Sequence, residues 1–207
     1  MTTPSSAAST APTHFTPVPL DKAYRLLNHG PTVLVSAAHA GQRNVMAAAW
    51  ACALDFAPPK VTVVLDKATR TRELVEASGH FALQLPTVPM AALTEAIGTE
   101  SAHTHPDKLQ RHAVPLFDAP ALPDIAAEHS PPLVQGCAAW LVCRVIPEPH
   151  NQQTYDLFLA EVVAAWADEQ AFVQGHWQDL PQARRALHHL GGGEFFTSAG
   201  LIRGRRP

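Results

Sequence analysis

The densest group of charged and hydroxyl side chains lies in residues 66–72, with the sequence DKATRTR. A run of β-branched residues precedes it. A helical pattern follows, with Thr71 as the predicted N-cap and Glu73 in the first turn. Free N–H groups at a helix start, together with Lys67, Arg70 and Thr71, suit a phosphate group. A solvated loop with a capping threonine explains the same residues, so both interpretations stay open at this point.

A second candidate is the segment from Asn44 to Trp50, with the sequence NVMAAAW. Small side chains are unusual inside a strand and would let a flat ligand lie against the backbone, while Trp50 offers a stacking surface. A core strand with one buried tryptophan is the alternative, and the segment taken alone favours that alternative.

The other patterns in the sequence give weaker indications of a functional site. The pairs His103/His105 and His188/His189 lack the spacing of a zinc motif, and no cysteine or carboxylate pattern completes them. The run Gly191–Gly193 follows no predicted strand, which argues against a dinucleotide-binding fingerprint. The sequence contains neither a phosphate-binding loop of the GxxxxGK type nor a serine nucleophile elbow. We therefore expect no bound metal.

Composition narrows the class of protein. Of 207 residues, 46% are hydrophobic, and the formal charge of −3 provides no basic field for nucleic acid. The three cysteines, an odd number, favour a reducing compartment, and we expect Cys137 and Cys143 to be buried apolar residues. No segment reaches membrane-span length and the first residues lack a signal-peptide pattern, so we expect a cytoplasmic protein.

Short strands separated by proline and glycine dominate the chain. Strands are predicted at residues 31–38, 43–51, 60–65, 80–85, 136–146 and 154–166. Helices are predicted from Thr71 to Gly79, from Thr87 to a stop at Gly98, and over 182–190. Residues 99–130 form a long irregular excursion. Six strands with few βαβ units predict a mainly antiparallel barrel.

These elements form one predicted domain, residues 15–200. It lies between a Thr/Ser/Ala/Pro-rich tail, residues 1–14, which we expect to be disordered, and a basic C-terminal tail, residues 201–207.

Taken in order, several segments resemble the flavin-reductase-like family, also described as FMN-binding split-barrel or flavoredoxin-like proteins. The most specific pieces are NVMAAAW at 44–50, DFAPPKVTVVLD at 55–66 and KATRTRELVEASGHFALQLP at 67–86. The resemblance covers about residues 20–200. It implies a six-stranded antiparallel Greek-key split β-barrel with a few flanking helices, a homodimer, and FMN in a groove near the subunit interface.

The resemblance also implies site residues. The strand residues that would line the isoalloxazine through backbone groups are Asn44, Val45, Met46, Ala47 and Ala48. Trp50 would lie close to this pocket, and the C-terminal segment around His189 would reach the groove. Lys67, Arg70 and Thr71 would bind the phosphate.

Two departures from the family pattern bear on function. Many relatives carry a threonine or serine where this chain has Ala47–Ala49, so at least one hydroxyl contact to the flavin is missing. NADH-dependent reductases often carry a Gly-Asp-His motif where residues 151–156 here read NQQTYD.

The resemblance implies an FMN-dependent oxidoreductase, a flavin reductase that transfers a hydride from NAD(P)H to flavin. The redox chemistry then belongs to the cofactor, so no catalytic side chain is assigned. Two alternatives stay open: an FMN-binding electron carrier without its own nicotinamide site, and a His-rich metal-binding or scaffolding barrel without flavin.

A homodimer is also expected from the segment Gly136–Ile146. Trp140 and Val142 alternate with Leu141, so both faces of this strand carry bulky apolar groups. One face can line the barrel, and we expect a partner subunit to cover the other.

Overall fold

The computed structural model describes residues 10–27 and 29–204. Most of the predicted N-terminal tail and residues 205–207 lie outside this range, so the predicted domain boundaries stay predictions. The strands are β1 (Phe15–Pro17), β2 (Val33–His39), β3 (Gln42–Ala48), β4 (Ala51–Phe56), β5 (Pro59–Val64), β6 (His80–Pro86), β7 (Leu116–Phe117), β8 (Leu133–Val134), β9 (Cys137–Ile146), β10 (Leu157–Asp168), β11 (Phe172–Val173), β12 (His176–Trp177), β13 (His188–Gly191) and β14 (Glu194–Phe196).

The helices are short and lie between strands. The α-helices are α1 (Leu20–Ala23), α2 (Arg70–Ser78), α3 (Ala91–Thr99), α4 (Lys108–Arg111) and α5 (Pro149–Tyr155). Single 3₁₀ turns occupy Tyr24–Leu26, Val88–Met90, Ala127–His129 and Gln182–Arg184. Within the described residues, no helix combines the length and apolar character needed to cross a membrane.

One antiparallel sheet organises the chain. Its strand order is β3-β2-β6-β9-β10-β5-β4, and β1 also pairs with β10. The end strands β3 and β4 do not pair with each other in the described sheet, so the barrel stays split. The mainly β, split-barrel fold is confirmed. The predicted number of six strands is wrong, because β1 and β4 join the sheet as well.

Strand β9 carries two apolar faces, as its sequence predicts. Leu141 belongs to the core enclosed by the sheet, whereas Trp140 belongs to a second core with Phe117 and Leu133. The indole Nε1 of Trp140 donates a hydrogen bond of 2.9 Å to the carbonyl of Val134. The excursion of the same chain therefore covers the second face, and the expectation that a partner subunit covers it is wrong. The homodimer itself stays a prediction.

Both cysteines of β9 are buried, as predicted. Their burial raises the pKa of the Cys137 and Cys143 thiols far above the ordinary range. Both cysteines are therefore apolar packing residues.

Several boundaries differ from the prediction for local reasons. The predicted strand 43–51 divides at a bend over residues 49–50, which separates β3 from β4. The predicted strand 154–166 loses its first residues to α5, so β10 begins at Leu157. The predicted helix 182–190 is wrong: a 3₁₀ turn is followed by β13, which pairs with β14.

Candidate functional site

An open sheet edge and a cavity coincide at β3. This strand pairs with β2 and stands at one end of the strand order. The backbone N–H and C=O groups on its other edge are therefore not paired with another strand of the sheet. A cavity of about 730 Å³ lies against Met46, Ala47, Ala48, Ala49 and Trp50. We call it the edge cavity. Its volume falls in the range of cofactor pockets, roughly 300–1,000 Å³.

The prediction for the segment 44–50 divides between two environments. Met46, Ala47, Ala48 and Trp50 line the edge cavity. Asn44 and Val45 are buried and are not among its lining residues. Trp50 is 75% exposed, so the alternative of a buried core tryptophan is wrong. Whether the backbone of Asn44 and Val45 contacts a ligand stays a prediction.

Helix α3 forms a wall of the edge cavity because it packs closely on β3. A Cβ atom built on Gly98 would lie 3.0 Å from the Cβ of Ala47, so a larger residue at position 98 would push the helix away. The predicted helix stop at Gly98 is therefore wrong, because this glycine serves close packing within α3. Lys108 holds the end of the helix: its buried Nζ donates hydrogen bonds of 3.1 Å to the carbonyls of Ile97 and Glu100.

Two buried hydroxyls in the wall of the edge cavity lack partners. Thr32, immediately before β2, and Thr94, on α3, both line the cavity. Their side chains are buried, and neither Oγ1 atom has a hydrogen-bond partner within the described part of the chain. Because both oxygen atoms are buried, neither is open to the edge cavity, and each is an unsatisfied polar group of the protein interior.

The predicted phosphate loop does start a helix, but with a different cap. Thr69, not Thr71, is the N-cap of α2, and its hydroxyl accepts a hydrogen bond from the Arg72 amide. The Thr71 hydroxyl is buried and accepts a hydrogen bond of 2.9 Å from Asn44 Nδ2. Thr71 therefore ties α2 to β3, and whether its hydroxyl also contacts a phosphate stays a prediction. Gly79, with φ of 71°, ends the helix as predicted.

The two predicted phosphate cations have different partners. Lys67 is 62% exposed, and its Nζ lies 3.1 Å from the Gln153 carbonyl and 3.5 Å from Oδ1 of Asp156. Asp156 lines the edge cavity. Arg70 donates hydrogen bonds to Glu73 and Gln42.

Arg70 lines a second cavity of about 800 Å³ at the β2–β3 turn, which we call the hairpin cavity. Lys67 lines neither of these two cavities, so the two predicted phosphate cations have different surroundings.

The C-terminal hairpin β13–β14 closes another side of the edge cavity. His189 on β13 lines it, together with Gly192 and Phe195. The imidazole of His189 and the Phe195 ring lie 5.4 Å apart between centroids. The structure therefore brings His189 to the cavity wall, as the resemblance implies.

Sequence reasoning missed the residues that α5 contributes. Tyr155 and Asp156 line the edge cavity at the end of this helix, where Asp156 adopts a left-handed backbone with φ of 54°. Burial acts to raise the pKa of Asp156. The hydrogen bond from Arg72 and the charge of Lys67 outweigh it and hold that pKa below its ordinary value. No local sequence pattern indicates the hydrogen bond between Arg72 and Asp156, because the two residues lie 84 positions apart.

Of the histidines noted in the sequence, His103 and His105 lie near carboxylates. His103 Nε2 lies 3.4 Å from Glu73, and His105 Nδ1 lies 3.5 Å from Glu100. Over residues 10–27 and 29–204, no three His, Cys, Asp or Glu side chains are grouped as a metal site would require.

Most of the chain matches the sequence model of a single protein family. Residues 25–187 match the model described as flavin reductase like domain. An uncharacterised protein of Escherichia coli K12, YddH, is 42% identical over 187 residues, covering 89% of this chain and 95% of that protein.

Solved structures agree with this match. The FMN-binding domain of a flavin reductase-like enzyme from Shewanella baltica OS155 is 52% identical, with a TM-score of 0.87 over 92% of this chain and 97% of that chain. Flavoredoxin from Methanosarcina acetivorans is 21% identical, with a TM-score of 0.65 over 84% of this chain and 87% of that chain; at this identity the likeness concerns the fold.

Proposed function

The chain belongs to the flavin reductase-like family, and we propose from this membership that it binds FMN in the edge cavity and works as an FMN-dependent flavin reductase that uses NAD(P)H. The observation that carries the proposal is the coincidence of an unpaired strand edge and small side chains at one cavity. A flat heterocycle with polar edges fits both features.

The residues that line the edge cavity fit the ring of FMN. Ala47 and Ala48 leave room beside the β3 backbone for a ring, and Trp50 and Tyr155 offer aromatic surface. None of Lys67, Arg70 and Thr71 lines the edge cavity, so the phosphate would extend beyond it toward the amide groups at the start of α2; Lys67 Nζ lies 3.5 Å from Oδ1 of Asp156, which does line the cavity. FMN, when bound, supplies the acceptor for a hydride and passes two electrons onward. The chain would bind and orient it, and we assign no proton transfer to a side chain.

An FMN-binding electron carrier is the second candidate. The observation that favours it is the segment 151–156, which lacks the Gly-Asp-His motif and here forms most of α5. A carrier would use the same edge cavity for FMN but would have no site for a nicotinamide.

Two measurements test these proposals. The purified protein should show a flavin absorption band, or acquire one with a stoichiometry of one FMN per chain on titration. Steady-state oxidation of NADH and NADPH with excess FMN then separates the candidates, because a reductase consumes one of them and a carrier consumes neither. A protein that takes up no FMN at any concentration tested would refute both.

We also propose that the chain works as a homodimer. Large apolar side chains are exposed around the edge cavity and on the neighbouring strand β4; they are Trp50, Leu54, Phe56, Tyr155, Leu190 and Phe196. A monomer would leave this surface in water. A two-fold interface of about 2,000 Å² would cover it and close the cavity mouth.

The variant Phe56→Glu should shift the protein from dimer to monomer and weaken FMN binding, because a charge would enter the apolar interface. Light scattering and FMN titration measure the two effects. Val173→Glu, on β11, introduces the same charge at another exposed apolar residue and should change neither. A wild-type protein that is monomeric with FMN bound at micromolar concentration would contradict the dimer.

A further inference from the structure

We propose that Lys108 is a positioning residue for the ligand of the edge cavity: its side chain holds the end of α3 in place, and α3 forms one wall of that cavity. Lys108 itself would not touch the ligand. This inference rests on the proposed function as an FMN-binding protein, and it concerns what keeps the site in shape and over which range of pH.

The side chain of Lys108 is buried, which is rare for a lysine whose charge is not paired. The residue lies on the short helix α4 and is only 2% exposed. Its Nζ donates hydrogen bonds of 3.1 Å to the carbonyls of Ile97 and Glu100. These carbonyls lie at the C-terminal end of α3, where the helix dipole favours a cation. The charge of Lys108 therefore serves the end of α3.

The carbonyls at the end of α3 show what Lys108 supplies. The amide of Glu100, the C-cap residue, donates a hydrogen bond of 3.1 Å to the carbonyl of Ala96. The next carbonyl along the helix belongs to Ile97, a residue with no exposed surface, and Lys108 Nζ is its donor. The last carbonyls of a helix have no partner within the helix, so a buried one needs a donor from another part of the chain.

This hydrogen bond lies one residue from the contact between α3 and β3. Gly98 follows Ile97, and a Cβ atom built on Gly98 would lie 3.0 Å from the Cβ of Ala47. Gly98 and Thr99 line the edge cavity together with Ala47. A small movement of the end of α3 would therefore change the width of the cavity beside β3, where we propose that the ring lies.

The charged groups around Lys108 belong to α4 and to the segment between α3 and α4. Lys108 faces Glu100, whose carboxylate also accepts hydrogen bonds from Arg111 and His112 and lies 3.5 Å from His105 Nδ1. Burial lowers the pKa of Lys108 to about 8, although the charge of Glu100 acts to raise it. Lys108 therefore loses its charge at mildly alkaline pH, whereas an ordinary lysine stays charged up to about pH 10.4.

Two quantities should then change with pH in opposite directions. A neutral amine makes weaker hydrogen bonds than an ammonium group, so FMN should bind less tightly as the pH rises through about 8. The contribution of Lys108 to the free energy of unfolding should instead rise between about pH 8 and about pH 10.4, because the unfolded chain binds more protons over that range. A lysine with a structural role alone would show the second change without the first.

The test is an FMN titration of the unchanged protein, Lys108→Met and Lys108→Arg from pH 7 to pH 9. Lys108→Met should bind FMN about tenfold more weakly at pH 7, which corresponds to one charge-assisted hydrogen bond at the wall. The unchanged protein should lose most of this advantage by pH 9. Lys108→Arg stays charged at every pH, so it should retain most of the affinity throughout.

Two further variants serve as controls. Gly98→Ala displaces the same helix from the side of β3 and should weaken FMN binding at every pH. Lys22→Met makes the same substitution at an exposed lysine of α1 and should leave the affinity and its pH dependence unchanged.

Two results would overturn the inference while the proposed function survives. Lys108→Met could be less stable than the unchanged protein and yet bind FMN equally well, which would make Lys108 a structural group of α3 alone. The FMN affinity of the unchanged protein could stay constant from pH 7 to pH 9, a result that decides the question even if Lys108→Met does not fold. Failure of the unchanged protein to bind FMN at any pH would refute the proposed function, and this inference with it.

Discussion

Replacing both Lys67 and Arg70 by alanine should weaken FMN binding at least a hundredfold and leave riboflavin binding unchanged. A charge-assisted hydrogen bond contributes about 1.5–3 kcal/mol. Each factor of ten in affinity corresponds to about 1.4 kcal/mol, so the loss of two such bonds removes two decades or more. Riboflavin lacks the phosphate, and its affinity therefore separates a phosphate contact from damage to the edge cavity. Fluorescence titration with both ligands measures the effect.

The single variants refine this expectation, because Arg70 lines the hairpin cavity whereas Lys67 lies beside Asp156, which lines the edge cavity. A phosphate held on the side of the edge cavity should make Lys67→Ala the more damaging change, whereas one directed to the hairpin cavity should make Arg70→Ala so. The double variant Lys22→Ala/Arg144→Ala removes the same charge from exposed ion pairs elsewhere and serves as the control. Unchanged FMN affinity in a folded Lys67/Arg70 double variant would contradict the phosphate assignment.

The elements that local sequence determines were predictable. Helix α2 follows from a capping threonine, an apolar stripe and Gly79, and strands β6 and β9 follow from β-rich apolar runs. The small residues of β3 line the edge cavity, and that a ligand lies against them stays a prediction.

The errors at the site share one physical origin, which is contact between residues distant in sequence. Thr69 and Thr71 are both chemically able to cap α2, and the buried hydrogen bond from Asn44 decides the choice by taking the Thr71 hydroxyl. In the sequence Gly98 resembles a helix stop, and only the structure shows that α3 packs against Ala47 at this glycine. The unpaired hydroxyls of Thr32 and Thr94 are invisible in the sequence, because only the fold shows which hydroxyls lack partners.

The role of Arg72 also depends on contacts with residues distant in sequence. Sequence reasoning counted it among the loop cations, yet its side chain is only 3% exposed. Its guanidinium donates hydrogen bonds to the carbonyls of Leu65 and Gln152, at 3.1 and 2.8 Å, and to the carboxylates of Glu76 and Asp156. It thereby joins α2, the end of β5 and α5 at the wall of the edge cavity.

The variant Arg72→Met should lower the free energy of unfolding by about 3 kcal/mol. Methionine retains much of the apolar stem, but the carbonyls of Leu65 and Gln152 lose their donor, and each acceptor left unpaired costs about 1–3 kcal/mol. Urea unfolding of the FMN-free protein measures the change. Arg144→Met, which removes an exposed pair with Glu161, should stay within about 0.5 kcal/mol of the unchanged protein. A loss of less than about 1 kcal/mol in Arg72→Met would contradict the assigned role.

The pH dependence of the free energy of unfolding of Arg72→Met tests whether Asp156 is a stabilising partner of Arg72. The pKa of Asp156 is held below its ordinary value, so its contribution to stability is complete above that ordinary value, about 3.9, and is lost as the pH falls through the lowered pKa. Arg72→Met removes the main hydrogen bond that lowers this pKa, so the stability difference between the unchanged protein and the variant should shrink as the pH falls below about 4. Unfolding curves from pH 7 to pH 3 measure it. A difference that stays constant over this range would show that the carbonyl contacts alone, without Asp156, account for the stabilising role of Arg72.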